Sequence, residues 1–263
     1  MQPLEAVINR SDRGRKPFPL LLIVKCFILQ TIYGLSDLCL EEEITDRRSF
    51  QLFLDLTSDD SIPDETMICR YRELFSRHGL DRKLFKTFNQ ELQRSGLLPE
   101  KGTLIDATIK QARTNPTNKR DTDAGFTVRR NKTYYGYKGH IGMDSDSKMI
   151  RTTEFTTASI HDSDMFDYIT TSKEKYIIAD KGYANEKRKA NLRRREVFCG
   201  VLDKRYRNRP LSHEQKARNK KLSAVRNAVE RPFACAKQVL NYTRCSYYTL
   251  GRNRFRFKLV TLI

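Results

Sequence analysis

The sequence predicts a helical N-terminal region, residues 1–98, followed by an α/β region, residues 99–263, built on a mixed sheet flanked by helices. Three observations predict it. Up to Leu97, apolar residues recur at helical spacing or in one long apolar run. Beyond Leu97 they fall into short runs, several of them β-branched, separated by turn-forming residues. The later runs follow the order strand, strand, strand, helix, strand, helix, strand, helix, which describes a sheet covered by helices.

The elements follow in order. Residues 15–30 (RKPFPLLLIVKCFILQ) open with two prolines and turn strongly apolar; Pro19 suits a helix start, and Gly34 ends the segment after Tyr33. Ser36 is placed to cap LSDLCLEEEI. SFQLFLDL follows, then the loop TSDDSIPDET, then a helix in ETMICRYRELFSRHG that stops at Gly79. DRKLFKTFNQELQRSG sets Leu84, Phe85, Phe88 and Leu92 along one helical face. GTLIDATI reads as a short strand ending in turn-formers. TNPTNKRDTDAGFTVRRNK is polar and charged and reads as an exposed loop. TYYGYKGHIGMD and MIRTTEFTTAS read as two strands of a hairpin joined by DSDSK. DSDMFDYITTS reads as a helix, KYIIAD as a compact strand, and KGYA as a turn. NEKRKANLRRREV is a basic helix, FCGVLD a further strand, and residues 203–224 a basic segment leading to a final helical region around Glu230.

At 263 residues the chain can bury one large core or two smaller ones. Its net charge of +18 favours a polyanion, nucleic acid first, although an anionic membrane surface would suit the same number. The placement of charge is sharper. Residues 31–100 carry nine Lys/Arg against fourteen Asp/Glu, whereas residues 185–263 carry twenty-two against five, so a polyanion is expected over the C-terminal part. Six cysteines form no CxxC pair and no zinc-like cluster, so free thiols in a reducing compartment are expected. The apolar run at residues 18–29 is too short to span a bilayer, and no signal-peptide cleavage pattern follows it, so no membrane partner is expected.

Two acids stand at the ends of hydrophobic runs: Asp106 after TLI and Asp180 after YIIA. In α/β sheets that edge is where sites form, and on neighbouring strands the two carboxylates would converge. Glu230, on a helix packed across the sheet, would be a third. Carboxylate oxygens are hard ligands suited to Mg²⁺, and two such ions can activate an attacking oxygen and stabilise a leaving one. The plainer reading of an Asp after a strand is a turn former or helix cap, and it stands beside the metal reading. His140 is read as an inward, hydrogen-bonded core residue, and His161 as a cap or a neighbour of the site. Tyr134, Tyr135 and Tyr137 could stack on bases, but a Tyr-rich strand is more often packing. Lys181 is read either as a contact to the scissile phosphate or as a turn residue.

Taken together, LIDATI, YYGYKGHIGMD, TTASIHDSDMF, IIADKGYAN and VRNAVERPFACAK resemble, in order and spacing, the DDE transposases of bacterial insertion sequences. The residues from GRKPFPLLL to FQLFLDL and SIPDETMICRYRELF resemble the helical domain often attached to that family, so the likeness covers nearly the whole chain. The resemblance implies a ribonuclease-H-like core, two Mg²⁺ or Mn²⁺ ions held by Asp106, Asp180 and Glu230, and cleavage and strand transfer on double-stranded DNA. It also implies a homo-oligomer on DNA, in the cytoplasm at the nucleoid. The family signature Tyr-x2-Arg-x3-Glu-x6-Lys is met by Arg226, Glu230 and Lys237, with Ser223 standing in the Tyr position. On one continuous helix these three would share a face, with Arg226, Lys237 and Lys181 near DNA phosphates. A solvated basic helix face is the plainer reading of Arg226 and Lys237. Pro232 argues against continuity: either the helix kinks there, or it begins near Glu230 with Arg226 in the approach. The rival functions are a structure-selective nuclease, a non-catalytic DNA-binding derivative and a basic RNA-binding scaffold.

Overall fold

The computed structural model describes residues 17–263, apart from residues 58, 100, 114–119, 130 and 207. Part of the polar loop expected after the first strand therefore lies outside the described residues. The described residues open with five helices: α1 (Leu20–Tyr33), α2 (Asp37–Asp46), α3 (Arg48–Leu54), α4 (Glu65–Arg77) and α5 (Leu80–Arg94). Their ends follow the local chemistry. Gly34 closes α1 in the left-handed region at φ 67°, where a residue without Cβ is unstrained. Ser36 caps α2 by accepting from the Cys39 N–H, and Asp64 caps α4 by accepting from the Met67 N–H.

The sheet holds β1 (Gly102–Gln111), β2 (Gly125–Arg129), β3 (Lys132–Asp144), β4 (Ile150–Thr157), β5 (Tyr176–Ala179) and β6 (Phe198–Val201). Its order is β2-β3-β1-β5-β6, with β4 also on β3. β1, β3 and β4 pair antiparallel, while β5 and β6 continue parallel to β1. This mixed sheet, with helices on both faces, is the expected ribonuclease-H-like core. A 3₁₀ turn (Asp162–Met165) and the one-turn helix α6 (Phe166–Ile169) follow β4. Then come α7 (Glu186–Arg194), α8 (His213–Arg226), α9 (Glu230–Gln238) and α10 (Leu250–Leu262).

Four expectations are corrected. The loop read over TNPTNKRDTDAGFTVRRNK contains β2, whose Phe126 and Val128 face solvent, so no inward alternation marks it. β1 does not end at Asp106: pairing with β3 carries it on to Gln111. DSDMFDYITTS makes only a 3₁₀ turn and one helical turn. The basic segment 203–224 holds most of α8, whose Ser212 and Gln215 form a capping box.

Among the described residues three hydrophobic clusters result. Leu104, Ile141, Phe155 and Ile178 of one sheet face pack with Leu222, Val229 and Phe233 of α8–α9 and with Phe257 and Val260 of α10. On the other face, Ile105, Ile177 and Ala179 meet Phe166, Tyr183 and Leu192. The helical cluster around Ile23, Phe27, Leu40, Ile68 and Phe75 is completed by Phe255 and Leu259 of α10. Phe27, Phe75 and Phe255 form an edge-to-face set with centroids 4.8–5.6 Å apart, each contact stabilising by about 0.5–1.5 kcal/mol beyond its area. So α10 is two-faced: Phe255 and Leu259 point to the helices, Phe257 and Val260 to the sheet. The Thr249 and Leu250 N–H groups at its start are held by the Asp121 and Asp123 carboxylates. Among the described residues no single helix is long and apolar enough to cross a membrane.

Candidate metal and phosphate site

Register brings the first two acids together. β1 and β5 run parallel with Leu104 opposite Ile178 and Ile105 opposite Ala179, so the next step carries Asp106 and Asp180 out at the same level. Leu104 and Ile178 point into the core beneath α8 and α9. Two residues on, Asp106 and Asp180 face the same layer. Asp180 leaves the strand in extended conformation, and its Oδ1 accepts the Lys181 N–H at 2.8 Å, starting the 3₁₀ turn Lys181–Tyr183. The turn-forming and site readings of this aspartate are therefore compatible.

Glu230 reaches the same layer from above. α8 ends at Arg226, a 3₁₀ turn spans Asn227–Val229, and α9 starts at Glu230. Of the two alternatives for Pro232, the structure gives the second: Pro232 lies in the first turn of α9, where its lacking N–H costs no helix bond. Arg226, in the approach, donates from Nη2 to Glu230 Oε1 at 2.9 Å, while its Nη1 stands 3.6 Å from Asp106 Oδ2. One guanidinium thus ties together two of the three acids. Its Nε is buried and unpartnered. The Asp106 side chain is 17 % exposed, the Glu230 side chain 58 %.

The electrostatics match this geometry. The Asp106 carboxyl is pushed up to about 6, first by burial and further by the charges of Glu230 and Asp180; the Ala107 N–H and Arg226 act the other way. Crowded carboxylates of this kind favour a cation among them. The donor set also fits one, since three carboxylates are hard ligands of the sort Mg²⁺ and Mn²⁺ take. Among the described residues, however, no three such side chains stand close enough to form a ready cation shell. The Arg226 guanidinium lies between Asp106 and Glu230.

The other candidates divide. Lys181 is exposed beside Asp180. Lys237 is exposed in the last turn of α9, about 10 Å along the axis from Glu230, so Arg226, Glu230 and Lys237 do not share one continuous helix. Ser223 lies on α8, one turn before Arg226. Tyr137 is fully buried, stacks on Phe155 at 5.3 Å and donates to Asp121 at 2.7 Å, which is a packing role. His161 caps the 3₁₀ turn by accepting the Ser163 N–H on Nδ1. His140 is fully buried, with Nε2 3.1 Å from Thr156 Oγ1, and burial lowers it to about 4 despite the nearby Asp162. One group was missed. Tyr183 lies under the acids with its hydroxyl buried and unpartnered, held protonated by burial and by the charges of Asp162, Asp106 and Asp180. Its place in the KGY turn directly after Asp180 was the available signal.

Comparison with known proteins adds three findings. Residues 98–263, well over half of the chain, match the family model described as the transposase DDE domain. Residues 1–74 match a second model, described as a transposase domain (DUF772). Among solved structures, the chain is similar to a piggyBac transposase in a synaptic complex with hairpin DNA. The identity is 12 % and the TM-score 0.46, over 98 % of this chain and 68 % of that one.

Proposed function

Because the chain belongs to the family of transposases with a DDE domain, enzymes that cut and rejoin DNA, we propose that Asp106, Asp180 and Glu230 are its catalytic carboxylates and hold two Mg²⁺ or Mn²⁺ ions. The observation that carries this reading is the convergence of Asp106 and Asp180 from adjacent parallel strands, with Glu230 joined to Asp106 through Arg226. Bound there, the ions would make water a nucleophile and stabilise the departing oxygen.

The residues of the chain do the rest. Asp106 and Asp180 are fixed by the sheet, so their separation is set by strand spacing and changes little as substrate binds. Glu230, mostly exposed at the start of α9, is the adjustable member. Arg226, Lys181 and Lys237 contact backbone phosphates and position the scissile linkage. In the first step water attacks the phosphodiester at the element end; the bond to the 3′ oxygen breaks and a 3′ hydroxyl is released. In the second, that hydroxyl attacks a target phosphodiester, one bond forms, and the target's 3′ oxygen leaves. The partner is double-stranded DNA, as terminal repeats and as target, bound by a homo-oligomer at the nucleoid. Residues 1–98 recognise the ends or pair them, and residues 99–263 catalyse.

A cleavage and strand-transfer assay with Mg²⁺ or Mn²⁺, on DNA carrying the repeats that flank the gene, tests this reading. Nicked and joined products lost in Asp180→Asn are expected. Nicking without joining would favour a structure-selective nuclease. Binding without cleavage, unchanged in Asp180→Asn, would leave a DNA-binding derivative.

A further inference from the structure

Arg226 occupies an unusual position for a residue on a basic helix. Its guanidinium pairs with two acids from different elements, Asp106 on β1 at 3.6 Å and Glu230 on α9 at 2.9 Å. Its side chain is only 15 % exposed, and the Nε proton, buried, has no acceptor. A cation taken by these acids needs oxygens that the guanidinium already engages, and it would bring like charge against a buried Arg. The guanidinium cannot simply withdraw, because a buried charge without a partner is costly. A phosphate is the exchange partner that suits it, because planar, bidentate pairing with phosphate oxygens is what a guanidinium does best.

We propose that Arg226 is a shared counter-ion that couples cation binding to DNA binding. This rests on the metal-site reading above and adds a regulation to it. With no phosphate at hand, Arg226 satisfies Asp106 and Glu230 and opposes the cation. When a DNA phosphate takes the guanidinium, both acids are released to the cation. The coupling is reciprocal, so the cation raises affinity for DNA by the factor by which DNA raises affinity for the cation. A transposase built this way holds a weak cation site when off DNA, and so carries little unprogrammed nuclease activity. The break between α8 and α9 makes the exchange feasible, because Arg226 is the last residue of one helix and Glu230 the first of the next. Neither helix has to bend for the pair to separate.

The test is Mn²⁺ binding to the full chain, read from the electron paramagnetic resonance signal of free Mn²⁺ at fixed ionic strength. Binding is measured with and without a short blunt duplex, and the uptake of the duplex itself is subtracted. In the unaltered protein, the duplex is expected to tighten Mn²⁺ binding by about fivefold or more, within the usual range of coupling between sites. Arg226→Gln is expected to bind Mn²⁺ more tightly than the unaltered protein without DNA, and to lose most of the DNA effect. Arg226→Lys, which keeps the charge and loses the fork, is expected to fall between. If Arg226→Gln binds Mn²⁺ no more tightly without DNA, or retains the unaltered coupling, the proposal is overturned. Thermal unfolding of each variant confirms that it is folded. Asp106→Asn and Asp180→Asn separate the two claims: Mn²⁺ binding unaffected by either would remove the metal site itself, whatever Arg226 does.

Discussion

Replacing Arg151 by Met should destabilise the protein severely while leaving the site chemistry intact. Arg151 on β4 has a side chain 2 % exposed, and it lies between two carboxylates, Asp144 and Glu174, that are each 0 % exposed. Nη2 donates to Glu174 Oε1 at 2.8 Å and to Thr103 Oγ1, and Nη1 stands 3.8 Å from Asp144 Oδ2. Glu174 also accepts from the Thr103 hydroxyl at 3.0 Å and the Thr171 N–H at 2.6 Å. Met fills much the same volume, so little cavity cost arises. What remains is two buried carboxylates without a cation. Removing one partner of a buried ion pair costs about 3–5 kcal/mol. In a domain of this size that lowers the melting temperature by roughly 6–20 °C. The network sits three residues along β1 from Asp106, about 10 Å away, so cleavage below the melting temperature should persist. Urea unfolding of Arg151→Met, Glu174→Gln and the double variant measures the coupling. The double variant should recover about 1–3 kcal/mol of the summed losses, since neighbours in one network are not additive. A loss below about 1 kcal/mol for Arg151→Met, or strict additivity in the double variant, would refute the reasoning.

Other expectations follow from the same geometry. Burial lowers His140 from 6.5 to about 4, so the unfolded chain takes a proton there before the folded one does. Its effect on stability is absent above pH 6.5 and becomes a loss of up to about 3 kcal/mol as the pH falls to 4. Urea midpoints at several pH values should fall less steeply for His140→Gln than for the unaltered protein, and equal slopes would contradict this. Asp121→Ala removes the acceptor for the buried Tyr137 hydroxyl and for the Thr249 N–H at the start of α10, costing about 2–3 kcal/mol by chemical denaturation. A Cβ at Gly139 would stand 2.4 Å from the buried Phe257 ring, so Gly139→Ala should cost about 1–3 kcal/mol through overpacking between β3 and α10. Lys237→Gln should reduce the slope of log affinity for DNA against log salt by about 0.9 per lost phosphate contact, measured by fluorescence anisotropy. An unchanged slope would place Lys237 off the DNA.

How legible these features are in the sequence depends on whether they are local. The cap at Ser36, the stop at Gly34 and the two strands carrying Asp106 and Asp180 are written in neighbouring residues, and the structure follows them. The length of β1 is not, because what carries it past Asp106 is pairing with β3, some thirty residues on in sequence. β2 escaped because Phe126 and Val128 point outward, leaving no inward alternation to read. At the site, the types and order of the three acids were visible, and Pro232 signalled the helix break. The placing of Arg226 between Asp106 and Glu230 was not visible, since it depends on how α8 meets the sheet. The dual role of α10 was hidden for a similar reason: Phe255, Phe257 and Leu259 are interleaved with Arg254, Arg256 and Lys258, and nothing local says which layer each apolar side chain meets.

That two-faced helix has a consequence for synthesis. The cluster formed by α1–α5 contains Phe255 and Leu259, so its core cannot close until the ribosome has passed residue 259. Almost 180 residues separate Leu80 from that point. At 5–20 residues per second, the helices wait about 10–40 s for their last partners. During that time apolar groups such as Phe27 and Phe75 lack part of their cover, and the nascent chain is open to chaperones and proteases. A translation product that stops in the catalytic sheet would be left without the inner face of its helical part, and degradation rather than dominant interference is its expected fate.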